Sequence, residues 1–187
     1  RLKALLAEIE AMAPGCRGRV ASDAIPLLEK AIAEKAGIGW IGKHTNLITR
    51  THGSWVFLGE ILLTIPLEYD EPFAFDLCGS CVRCIDACPT GAIVAPRELD
   101  SARCISYATI EHRAEIPDSF RGKMDGWLYG CDVCQEVCPW NRFAQETAIA
   151  DFLPREDAAD MTLDEAARLS DDEFRERFHE SAITRAR

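Results

Sequence analysis

At 187 residues with 48% hydrophobic composition, the chain is long enough for one substantial domain or two small ones. A formal charge of −10 excludes a broad phosphate-binding surface, because non-specific nucleic-acid affinity comes from Lys and Arg neutralising phosphates. No apolar run approaches the ~18 residues of a membrane span, and the charged, amphipathic start is not an export signal, so the reducing cytoplasm is the expected compartment.

Leu2, Leu5, Leu6, Ile9 and Met12 recur at helical spacing, which predicts an amphipathic helix ended by Ala13-Pro14-Gly15. The pattern starts at once, without a cap or an initiator Met, so further sequence is expected upstream. A short strand is predicted at Arg19-Val20-Ala21. A helix through Leu27, Leu28, Ala31 and Ile32 to Gly37 follows, with Ser22 or Asp23 as its N-cap and Pro26 in its first turn.

Gly37-Ile38-Gly39-Trp40-Ile41-Gly42 matches G-x-G-x-x-G, but it follows a helix and leads into a strand. A dinucleotide site needs the reverse order. The glycines are read instead as a helix cap and as places of close backbone approach. Strands are predicted over Asn46 to Thr49 and Trp55 to Ile65, joined through Thr51-His52-Gly53-Ser54. The second is so apolar that a central place in its sheet is expected. Pro66 to Asp76 is a natural boundary.

Eight of the nine cysteines lie between Cys78 and Pro139. Cys78, Cys81, Cys84 and Cys88 form C-x2-C-x2-C-x3-C-P, and Cys131, Cys134 and Cys138 repeat its ending before Pro139. Cys104 stands alone between the halves. Two 4Fe-4S clusters need eight thiolates, and in the bacterial ferredoxin run the cysteine before proline reaches the other cluster. The spacing therefore assigns Cys78, Cys81, Cys84 and Cys138 to one cluster, and Cys88, Cys104, Cys131 and Cys134 to the other. Zinc suits two C-x2-C pairs but accounts neither for the third cysteine nor for the two C-P endings. The ninth, Cys16, has no partner at ligand spacing and is read as a half-buried thiol.

Between the halves, Thr90 to Ile93 predicts a short strand and Ser101 to His112 a helix. After Trp140 the chain turns acidic. Leu163, Ala166, Ala167 and Leu169, then Phe174 and Phe178, predict two short helices. The expected architecture is α+β. A small α/β layer over residues 1–76 precedes a ferredoxin-like two-cluster module over 77–145 and an acidic helical tail over 146–187.

The stretches GIGWIGKHTNLIT, SWVFLGEILL, CISYATIEH and YGCDVCQEVCPWN, together with the cysteine array, resemble the epoxyqueuosine reductase family. The resemblance implies reduction of the epoxide of epoxyqueuosine in tRNA, with two clusters and a cobalamin as cofactors. It implies an epoxyqueuosine-bearing tRNA and an external low-potential electron donor as partners. A monomer without membrane attachment is expected. The resemblance picks Asp23 as the acid that protonates the opening oxygen, against the N-cap role that pattern alone suggests. Thr45, Asn46, Leu47, His112 and Gly130, with Asp23, are the cobalamin contacts it implies. Family members carry more sequence at the N-terminus, and many carry a C-terminal helical-repeat region, so a truncated member is expected. Two other readings stand beside it. One is a corrinoid reductive dehalogenase, which pairs a corrinoid with the same kind of clusters. The other is a non-catalytic two-cluster electron carrier.

Overall fold

Among the described residues every strand ladder is antiparallel and two-stranded. The computed structural model describes residues 1–153 and 161–185. It divides into two compact units, Arg1–Cys81 with Pro139–Ala144, and Val82–Cys138 with Gln145–Arg187.

In the first unit, helix α1 (Leu2–Met12) lies on strand β1 (Gly18–Ala21) and its partner β4 (Glu60–Leu63). Leu6 fills the space where a Cβ on Gly18 would stand, so the missing side chain is what lets the helix approach. Gly18 faces Leu63 and Ala21 faces Glu60 across the ladder. The predicted strand from Trp55 to Ile65 is therefore much shorter, and among the described residues β4 pairs with β1 alone. A central position is not found. A continuous apolar run suits burial in several settings and does not fix the number of strand partners.

Helix α2 (Glu29–Lys35) starts later than the sequence suggests, with Leu28 as N-cap and no side-chain cap bond. Asp23 has a φ of 47°, and residues 22–26 run as bends. Ile25 precedes Pro26, whose ring disfavours helical geometry in the residue before it, so the N-cap role for Ser22 or Asp23 is overturned. Strands β2 (Trp40–Ile41) and β3 (Leu47–Ile48) form the next hairpin. Gly37, at a φ of 70°, closes α2 by donating to the Glu34 carbonyl. A Cβ on Gly39 would overlap the Ile48 carbonyl oxygen, which is the close approach expected of this glycine run. The core here holds Cys16, Ala33, Trp40, Leu47 and Ile48. Trp40 stacks on Phe73 at 5.4 Å and meets the edge of Trp140 at 4.9 Å.

In the second unit, helix α3 (Arg83–Ala87) packs on helix α5 (Val133–Glu136) and on strand β5 (Ile93–Ala95), which pairs with β6 (Glu98–Leu99). Helix α4 (Ile105–Ile110) sets Ile105 and Ala108 against Phe120, with Met124, Trp127 and Cys131 around them. Two helices follow in the tail, Leu163–Arg168 and Asp171–Arg177. Each begins with a capping box, Thr162 with Glu165 and Ser170 with Glu173. The Tyr129 hydroxyl donates to the Ala182 carbonyl at 3.0 Å, and Phe178 is buried. Among the described residues no helix is long and apolar enough to cross a membrane.

Candidate iron–sulfur centre and the Asp23 cleft

The second unit brings together the four thiols that spacing assigned to one cluster. Cys88 leaves the end of α3, Cys104 caps the start of α4, Cys131 precedes α5 and Cys134 lies within it. Burial pushes the Cys134 thiol up to about 12, and repulsion from Cys131, Cys104, Cys84 and Cys88 adds to it. Cys131 is raised as well, first by burial, against which a bond from the Val133 N–H acts, with the charges of Cys104, Cys88 and Asp132 adding to the rise. Cys134 and Cys131, both raised and both facing the charges of neighbouring thiols, mark a site that a cation would neutralise. Iron bound there reverses the sign of the local field and deprotonates its ligands.

The backbone supplies the complementary donors. Burial alone raises the Cys88 thiol, but bonds from the Thr90 hydroxyl and from the Ala92, Thr90 and Ile93 N–H groups bring it below its ordinary value. The Ala92 N–H lies 3.2 Å from Cys88 Sγ. Arg103, adjacent to Cys104, donates to the Thr90 carbonyl at 2.9 Å and ties the two ligand loops together. Hydrogen bonds to cluster sulfurs of this kind tune reduction potential. Among the described residues no group of three or more His, Cys, Asp and Glu side chains is disposed to hold a single metal ion. In a four-iron cluster each thiolate instead binds its own iron. The donor set fits such a cluster.

Cys78 and Cys81 belong to the first unit. Lys43 Nζ donates to the Gly79 carbonyl at 2.7 Å and the Cys81 carbonyl at 2.9 Å, and Asp76 accepts the Cys78 N–H at 2.9 Å. The Lys43 ammonium is thereby engaged by this loop. Trp140, just past Cys138-Pro139, donates to the Leu77 carbonyl at 3.2 Å, and Asn141 accepts from the Ser54 N–H at 2.6 Å. Cys84 is buried, and Cys138 is partly so.

The other candidate residues fall in two places. In the first unit, Asp23 is exposed on the rim of a cleft of about 360 Å³, whose wall includes Ile25, Leu28, Glu29, Lys30 and Ile41. Thr45 and Asn46 lie in the turn of the β2–β3 hairpin, where Gly42 donates to the Asn46 carbonyl and Thr45 has a φ of 68°, and Leu47 opens β3 with its side chain buried. Among the described residues of this unit, Asp23 and Thr45 are the two non-glycine positions with positive φ, and strain of this kind collects at functional sites. In the second unit, His112 follows the end of α4 and Gly130 is bonded to Thr109 within it. The His112 N–H bonds the Tyr107 carbonyl, its Nε2 lies 3.3 Å from the Glu115 carbonyl, and Gly130 donates to the Thr109 hydroxyl at 3.0 Å.

Comparison with known proteins finds relatives of this arrangement. Residues 77–141 match the 4Fe-4S double cluster binding domain. Along nearly its whole length, 99%, the chain is 48% identical to an epoxyqueuosine reductase of Synechocystis, of which it spans 64%. In sequence the chain is similar to epoxyqueuosine reductases. Two solved epoxyqueuosine reductases share its fold. One, with an epoxyqueuosine-modified tRNA-Tyr stem loop, superposes with a TM-score of 0.85 at 39% identity, over 93% of this chain and 46% of its own. The other, from Bacillus subtilis with an aspartate catalytic loop swung out of its active site, gives 0.85 at 38% identity, over 95% and 46%. The chain thus spans about half to two thirds of these relatives.

Sequence reasoning missed three residues of the first unit. His44 is buried with Nε2 unpartnered, and Glu29 and Glu60 pair beside Asp23. A signal existed for Glu60, the lone acid in the apolar run SWVFLGEILL. Glu29 was hidden because an acid in a helix's first turn is ordinary.

Proposed function

We propose that the protein from which this chain comes reduces epoxyqueuosine to queuosine in tRNA, with Asp23 as the proton donor. The observation that carries this reading is the likeness, over nearly the whole chain, to a reductase solved with an epoxyqueuosine-bearing stem loop. Removing the epoxide oxygen takes two electrons and two protons, and yields an alkene and water. Residues 77–145 form the electron supply in this reading, with Cys78, Cys81, Cys84 and Cys138 on one cluster and Cys88, Cys104, Cys131 and Cys134 on the other. An external low-potential donor feeds them in the reducing cytoplasm, and the enzyme works as a monomer without membrane attachment.

Residues 1–76 form part of a cobalamin-binding layer. The aliphatic wall of the Asp23 cleft and the polar hairpin turn at Thr45 and Asn46 fit the edge of a corrinoid, whose rim carries amides around an apolar face. Bound cobalamin supplies a reduced metal for breaking the carbon–oxygen bond. Thr45, Asn46 and Leu47 offer backbone and amide groups to its rim, as do His112 and Gly130 from the second unit. Asp23 holds a proton for the departing oxygen, and apolar surface closing over the cleft raises its proton affinity. The relative with a displaced aspartate loop supports a loop that takes more than one position.

The test is the intact gene product, loaded with clusters and cobalamin, acting on epoxyqueuosine tRNA with a low-potential reductant. Nucleoside mass spectrometry should show the loss of one oxygen. Asp23→Asn should keep the iron and corrin absorbance and abolish turnover; full turnover by this variant removes Asp23 from the mechanism. Failure to take up cobalamin favours the carrier reading, and dehalogenation without action on tRNA favours the reductive dehalogenase.

A further inference from the structure

The Asp23 loop is tied to the rest of its unit through Ser22 and through the Asp23 amide. Asp23 sits in left-handed geometry, which a non-glycine residue adopts only when its surroundings hold it there. Its anchor on one side is Ala21, the last residue of β1, opposite Glu60. The Ser22 hydroxyl donates to the Leu58 carbonyl at 2.7 Å. The Asp23 N–H donates to Glu29 Oε1 at 2.6 Å, a short charge-assisted bond from the first residue of α2.

We propose that Glu29, backed by Glu60, is the positioning residue that latches the Asp23 loop in place beside its cleft. Behind Glu29 stands the Glu60 carboxyl, hydrogen-bonded to it. Two carboxyl groups within bonding distance share one proton. Burial first, then the charge of Glu29 and the bond to it, raise the Glu60 pKa. Glu60 Oε2 is buried without a hydrogen-bond partner, which favours the neutral form on the same side chain. The Glu29 carboxylate is then fixed from behind and presents an oxygen to the Asp23 amide. The link to catalysis rests on Asp23 being the proton donor, as proposed above; the latch itself uses only the backbone of Asp23.

The rival role for Glu29 is that of an acid complementing the N-terminal dipole of α2. Variants of the full-length, cofactor-loaded enzyme separate the two. Glu29→Ala removes both charge and acceptor, whereas Glu29→Gln removes the charge and keeps an acceptor oxygen. Amide hydrogen exchange at Asp23 should rise roughly tenfold in Glu29→Ala, the loss of one hydrogen bond to a charged group, and return most of the way in Glu29→Gln. The kcat should follow the same order with the KM for tRNA unchanged. Glu60→Leu should raise exchange by a smaller factor, and this comparison carries the test if Glu29→Ala fails to fold. Exchange at Asp23 unchanged by Glu29→Ala, or Glu29→Gln as damaging as Glu29→Ala, overturns the latch. If exchange follows the predicted order while Asp23→Asn turns over normally, the latch stands and the role of Asp23 as proton donor falls.

Discussion

Lowering the pH from 7 to 5 should weaken the first unit through His44. This imidazole is 3% exposed, its Nδ1 accepts the Asn46 N–H at 3.2 Å, and its Nε2 has no partner. Burial pushes its pKa down from 6.5 to about 4; a backbone hydrogen bond opposes the shift and the charge of Lys30 adds to it. The folded pKa is depressed and the group is a base, so the unfolded chain takes up a proton at 6.5 while the folded chain refuses it until about 4. The stability contributed by this neutral histidine is whole above the unfolded value. It falls as pH drops through the window between the two values. Linkage puts the loss from pH 7 to pH 5 at about 2 kcal/mol. His44→Leu removes the titration while filling the space against Gly42 and Ile48. Denaturant unfolding of the intact, cluster-loaded protein and of this variant, at both pH values, isolates the effect, because acid sensitivity of the clusters is common to both. The wild type should lose about 2 kcal/mol more than the variant. Parallel losses, or an imidazole NMR titration with its midpoint near 6.5, would refute the reasoning.

Lys43→Met should destabilise the Cys78–Cys81 loop by about 1–2 kcal/mol by removing two charge-assisted bonds to carbonyl oxygens. Faster iron loss to a chelator is the measurement. Gly39→Ala should cost about 3 kcal/mol or more, because its Cβ meets a backbone oxygen that cannot move without breaking the β2–β3 hairpin. Thermal unfolding reads this directly. Cys104→Ser should lower iron content by about half, with electron paramagnetic resonance of the reduced protein showing one remaining cluster, since each cluster draws on four cysteines.

The iron–sulfur character of residues 77–141 was legible in the sequence because ligand spacing is local. C-x2-C-x2-C spaces three thiols over seven residues, and α3 and α5 each end shortly before a Cys-Pro pair, Cys88-Pro89 and Cys138-Pro139. The capping boxes at Thr162 and Ser170 were equally readable, each spanning four residues. Strand Trp55 to Ile65 was misjudged because apolar character reports burial and not hydrogen-bond partners. The start of α2 was misjudged because Asp23 has cap chemistry, while the constraint of Pro26 on Ile25 acts against it. The latch was illegible, since residues 23, 29 and 60 share no periodicity and meet only when β1 pairs with β4.

By itself, then, the sequence determined the iron–sulfur character of residues 77–141 and the likeness to epoxyqueuosine reductases, because thiolate spacing and long matched stretches are properties of neighbouring residues. Tertiary structure alone decided which groups surround Asp23 and which thiols face Cys131 and Cys134. Those depend on distances between segments far apart in the chain, and electrostatic and hydrogen-bond energies fall away within a few ångströms.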